Sequence, residues 1–153
     1  MSKTALRRKP EKPSKLGKLP EWDLTDLYPG LDSPQIKSDL EQGDFDCQAF
    51  EQRFKGRLAT LAAGEGAGRA LAEAVKQYEA IDDRLGRLIS YASLLSAGNT
   101  TDPVRAKFYG DVQERITAAS LHMLFFTLEL NRIPDEQLEA AMGDPALGHY
   151  RPW

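Results

Sequence analysis

Three long stretches of this chain repeat apolar residues every three, four or seven positions, and no period-2 run of β-branched residues exceeds three or four. The first stripe is Ile36, Leu40, Cys47, Phe50, Phe54, Leu58 and Leu61. The second is Leu71, Val75, Tyr78, Ile81, Leu85, Leu88, Ala92 and Leu95; the third is Val104, Phe108, Val112, Ile116, Ala119, Met123, Phe126 and Leu130. A helix turns once in about 3.6 residues, so each set falls on one helical face. Three such faces hide from water by packing on one another, which predicts an all-α fold and leaves no material for a sheet.

Local signals set the ends of these helices. The first should start at Asp32 or Ser33, with Pro34 in its first turn, where a missing N–H costs nothing. Its spacing runs unbroken through Leu61, and Gly43 in the gap of the stripe marks a kink or a close approach. The string GEGAG at 64–68 resembles a phosphate loop, but a dinucleotide loop follows a strand and this one follows a helix, so it reads as a connecting turn. The second helix ends near Gly98-Asn99. The third starts at Thr101 or Asp102 with Pro103 behind it, and Leu121, Leu124, Phe125 and Leu128 widen its stripe, which predicts that 121–130 is the most buried element. A short helix over Asp135–Met142 follows Pro134, and Asp144-Pro145 opens a last segment to Trp153. The expected architecture is an antiparallel bundle of three long helices plus a short C-terminal helix, with an N-terminal extended arm.

The arm is LPEWDLTDLYPGLDSP, residues 19–34. Trp22, Leu24, Leu27 and Tyr28 carry enough apolar surface to require something to lie on. Asp23, Asp26 and Asp32 suit turn and cap hydrogen bonds better than a metal.

Residues 1–18 hold seven cations and one anion, a net +6; with −3 over all 153 residues, the remainder carries −9. A basic leader ahead of an acidic domain could be a nucleic-acid arm, a surface tether or a transit peptide. It lacks aromatics for base stacking and an apolar face for a membrane, and Pro10 and Pro13 interrupt any helix, so a disordered solubilising tail is the favoured reading. No apolar run approaches the roughly 18–20 residues of a membrane span. One cysteine, Cys47, leaves no internal disulfide and fits a cytoplasmic protein.

Little of this supports catalysis. Cys47 lies on a buried stripe with no histidine near it in sequence, and a buried thiol is inert. The two histidines, His122 and His149, are 27 positions apart; His122 sits in an apolar section and reads as a hydrogen-bonded core histidine. The carboxylates of the second helix lack the Glu-x-x-His unit of a di-iron bundle. No catalytic, cofactor-binding or metal-ligating residue is assigned, and no cofactor is expected in this chain.

The arm, the run FYGDVQERITAASLHMLFFTLELNRIPDEQLEAAM at 108–142 and the closing DPALGHYRPW together resemble the N-terminal region of the oligoendopeptidase F family, the M3-type zinc metallopeptidases. The likeness spans Leu19 to Trp153. It implies a helical wall of a deep channel that admits short unfolded peptides, with zinc held further along on an H-E-x-x-H helix. Neither His122 nor His149 begins such a motif, so no catalytic residue carries over and this chain by itself is not expected to be an enzyme. The implied partners are a missing C-terminal catalytic domain and, in the full-length enzyme, oligopeptides. Uncovered apolar residues at Phe125, Leu147, Tyr150 and Trp153 would then drive homodimerisation. A stand-alone helical interaction module is the rival reading; a nucleic-acid binder working through 1–18 is a weaker one.

Overall fold

A computed structural model describes residues 22–151. The basic leader and Trp153 lie outside the described residues. Among the described residues there is helix and turn but no strand, so the all-α expectation holds. The elements are α1 (Pro34–Phe54), α2 (Leu58–Ala63), α3 (Ala67–Gly98), α4 (Pro103–Ser120), α5 (Leu124–Leu130), α6 (Asp135–Ala141) and α7 (Pro145–Gly148), with one 3₁₀ turn, Leu121–Met123, between α4 and α5.

Capping explains several of the boundaries. Pro34 and Pro103 stand in the first turns of α1 and α4. Asp102 accepts the backbone N–H groups of Val104 at 2.8 Å and Arg105 at 3.3 Å, satisfying two of the donors a helix start leaves open. Asp144 does the same for Ala146 at 2.9 Å.

Two long helices are broken where periodicity alone predicts continuity. The first stops at Phe54 because Gly56 takes a left-handed φ of 76°, which re-aims the chain and moves Leu58 and Leu61 onto α2. The Gly56 N–H, released from the helix, is taken up by Glu129 Oε1 at 2.7 Å. The third is interrupted by the 3₁₀ turn, just after Ser120 donates its hydroxyl back to the Ile116 carbonyl at 2.7 Å, a bond that competes with the helical ladder.

α3 is the hub, packed against α1, α2, α4, α6 and α7. Its 32 residues run about 48 Å at 1.5 Å per residue. An aromatic cluster fills the middle of the bundle: the Phe50 ring lies 5.0 Å from Phe54, 5.6 Å from Phe125 and 5.2 Å from Phe126, and Phe126 stacks on Tyr78 at 4.9 Å. The section 121–130 is therefore not the most buried element. Its Met123, Phe125 and Phe126 point inward, while Leu121, Leu124 and Leu128 face solvent.

The glycines of the sequence do two different jobs. Gly66 takes φ 72° at the start of α3, so GEGAG is a connecting turn as expected. Gly68 and Gly43 are close-packing points: a Cβ on Gly68 would stand 2.5 Å from the Ala141 carbonyl oxygen, and one on Gly43 would stand 2.8 Å from Leu85 Cδ2. Gly43 is not a kink; α1 runs through it.

Candidate functional site

The arm is anchored to the bundle chiefly through Tyr28. Tyr28 is 1% exposed, and its hydroxyl donates to Asp39 Oδ2 on α1 at 2.7 Å. Arg87 of α3 donates to the same oxygen at 3.1 Å and lies over the Tyr28 ring, 5.4 Å from its centroid. Tyr91, one turn further along α3, meets that ring edge-on at 5.2 Å. Burial and the neighbouring Asp39 carboxylate push the Tyr28 hydroxyl up to about 12 from an ordinary 10.0. Trp22 does not share the anchoring role expected of it: it is 72% exposed. Leu24 and Leu27 are partly buried against the core, and the Leu24 carbonyl accepts the Leu27 and Tyr28 N–H groups, so the arm is a wound turn held at Tyr28.

Between the arm and the C-terminal half of α3 lies a crevice of about 520 Å³, walled by Trp22, Leu24, Tyr28, Pro29, Tyr91 and Leu95, with Arg105 at one side. Arg105 is engaged: it donates to the Leu95 carbonyl at 3.3 Å and stands 3.5 Å from Asp102. The crevice therefore offers a mixed lining, apolar at Leu24, Pro29, Tyr91 and Leu95 and polar at Asp23, Thr25 and Arg105, with an exposed indole at its edge.

The residues singled out for chemistry are scattered. Cys47 is fully buried, and burial, with Asp44 and Asp46 adding to it, raises its thiol to about 11, so the inert reading of this residue agrees with its setting. His122 is half-buried rather than a core residue: its Nδ1 meets Glu51 Oε2 at 2.5 Å, and Glu51 also accepts from Lys55 Nζ at 2.5 Å. The hydrogen bonds from Lys55 and His122 hold the Glu51 carboxyl below its ordinary 4.5. His149 lies against Tyr150, whose hydroxyl donates to Glu79 at 2.5 Å. Among the described residues no three His, Cys, Asp or Glu side chains converge as a metal would require. Asp23 accepts the backbone and hydroxyl of Thr25, the local turn role expected of it.

Two of the expected uncovered residues are covered. Phe125 is 8% and Leu147 2% exposed, and Tyr150 is half-buried. Among the described residues the exposed large apolar side chains are instead Leu121, Leu124 and Leu128 on one outward side of the third helical stretch, with Trp22, Phe45 and Val104 elsewhere. A clue lay in the width of that stripe: a helix apolar on most sides cannot turn all of them inward when its neighbours lie on one side. Periodicity sets Arg87 on the charged face of the second helix without showing its partner, and a tyrosine fixed in a turn needs a hydroxyl partner of the kind that Asp39 supplies.

No helix among the described residues is long and apolar enough to cross a membrane. Compared with protein-family models, with curated proteins and with solved structures, the chain matches none of them.

Proposed function

We propose that this chain is a non-catalytic, helical N-terminal domain of a cytoplasmic, zinc-dependent oligoendopeptidase, shaping the channel through which short unfolded peptides reach a metal held by another part of the enzyme. The observation that carries the reading is the arm. Its Trp-Asp, Tyr-Pro stretch is where the likeness to oligoendopeptidase F is most specific, and its tyrosine is an anchor built into the bundle by Asp39, Arg87 and Tyr91. The crevice beside it mixes apolar walls with the polar Asp23, Thr25 and Arg105, a surface on which both the side chains and the backbone of a peptide can rest. The comparisons add no support of their own, so the reading rests on those residues.

The test pairs this chain with the catalytic part of an oligoendopeptidase F from which the corresponding N-terminal region has been deleted. Chelator-sensitive cleavage of a quenched peptide is expected from the mixture and from neither part alone. Failure of the two to associate, with no gain in cleavage, would overturn the proposal. A second reading, a stand-alone helical interaction module, is favoured by the three exposed leucines; binding to a helical partner without any gain in peptidase activity would point to it.

A further inference from the structure

The outward side of α4 and α5 carries a seam spaced three, four, three, four and three residues apart: Glu114, Thr117, Leu121, Leu124, Leu128 and Asn131, with Arg132 next to the last. All seven residues are exposed, the leucines at 62%, 57% and 59%. The 3₁₀ turn contributes to the seam, because residues three apart in such a turn eclipse one another, and so Leu121 and Leu124 stand in line. Asn131, at φ −69° and ψ −6°, still follows helical backbone. Among the described residues neither Glu114 nor Arg132 has an ion-pair partner.

From one end to the other the seam reads acid, hydroxyl, three leucines, amide, base, and so it is complementary to itself when reversed. We infer that it binds a second copy of this chain, antiparallel, about a two-fold axis at Leu124. Leu124 then packs on the partner's Leu124 and Leu121 on the partner's Leu128. Thr117 meets the partner's Asn131, each seven positions from the axis, and Glu114 pairs with the partner's Arg132. The last two lie ten and eight positions out, a mismatch of about 3 Å at 1.5 Å per residue, which their side chains can span. A parallel pair would instead set Glu114 on Glu114 and Arg132 on Arg132, so the charges select the direction. The contact runs about 27 Å. That is short for a permanent dimer, and the association is reversible. The inference does not depend on the peptidase reading.

Sedimentation of the full chain across about 1 to 100 µM should show a monomer–dimer equilibrium. Glu114→Arg or Arg132→Glu alone should weaken it about tenfold, and the two together should restore it to within about threefold. Oxidation of a Leu124→Cys chain should give a covalent dimer, with the buried Cys47 silent. A Thr117→Cys chain should not, since its two thiols would stand about 21 Å apart, far beyond disulfide reach. A wild-type chain that stays monomeric, equal cross-linking at both cysteines, or a double charge swap no tighter than the single ones would overturn the inference.

Discussion

The Tyr28 hydroxyl and the Asp39 carboxylate, 11 positions apart in sequence and 2.7 Å apart in space, tie the N-terminal arm to α1, and Arg87 closes the triangle from α3. Tyr28→Phe removes the bond and leaves the ring. It should cost about 1.5–3 kcal/mol, the usual range for a hydrogen bond to a charged group, read by urea denaturation. Tyr28→Ala removes the ring as well and should cost about 3–5 kcal/mol.

The same hydroxyl predicts an alkaline limit. Its folded-state value of about 12 lies above the ordinary 10.0, so the native state holds a proton that the unfolded chain releases first. That part of the stability is complete below pH 10 and is lost as the pH rises toward 12. Denaturation midpoints of wild type and Tyr28→Phe should converge across that window, and parallel curves would contradict the assignment.

Glu51 sets a limit on the acid side. Its carboxyl is held below 4.5 by hydrogen bonds from Lys55 and His122, so the stabilisation it gives is present above that pH and disappears as the pH falls through the folded value. Glu51→Gln should lower stability at neutral pH and flatten the acid limb of the stability profile.

Trp22→Ala should leave stability within about 0.5 kcal/mol of wild type, because the indole is mostly in water. Trp22 should also be reached readily by a soluble fluorescence quencher.

Gly68→Ala and Gly43→Ala separate two kinds of close approach. The first drives a methyl against the Ala141 carbonyl, which belongs to backbone, and should destabilise by about 1–3 kcal/mol. The second meets only the flexible end of Leu85, and the gain of about 1 kcal/mol in helix propensity should offset much of its cost.

The helices were legible where one residue type served both local and global demands. Pro34, Pro103 and Gly98-Asn99 mark helix ends in sequence and in space. Periodicity failed at two breaks, one where Ser120 bonds back to the Ile116 carbonyl and one at Gly56. Glu129, 73 positions away, takes up the N–H freed at Gly56, and the glycine, the one local sign of the break, is outweighed by the apolar spacing that runs past it. The candidate site was half legible for a related reason. Tyr28 and Trp22 look equivalent in sequence, but only Tyr28 has an acid and a base waiting on two helices, and those partners become visible once α1 and α3 are laid together.

The packing at Gly68 also has a consequence in time. Its neighbours, Ala141 and Asp144, lie more than seventy residues downstream, so the start of the central helix cannot find its final contact until nearly the whole described chain has left the ribosome. Contacts this distant close late because the loop between them must first be ordered. During synthesis, the upstream helices emerge before α6 and α7 pack on them, and their apolar faces wait in the open. For a chain rich in such faces, that interval is when a chaperone has most to do.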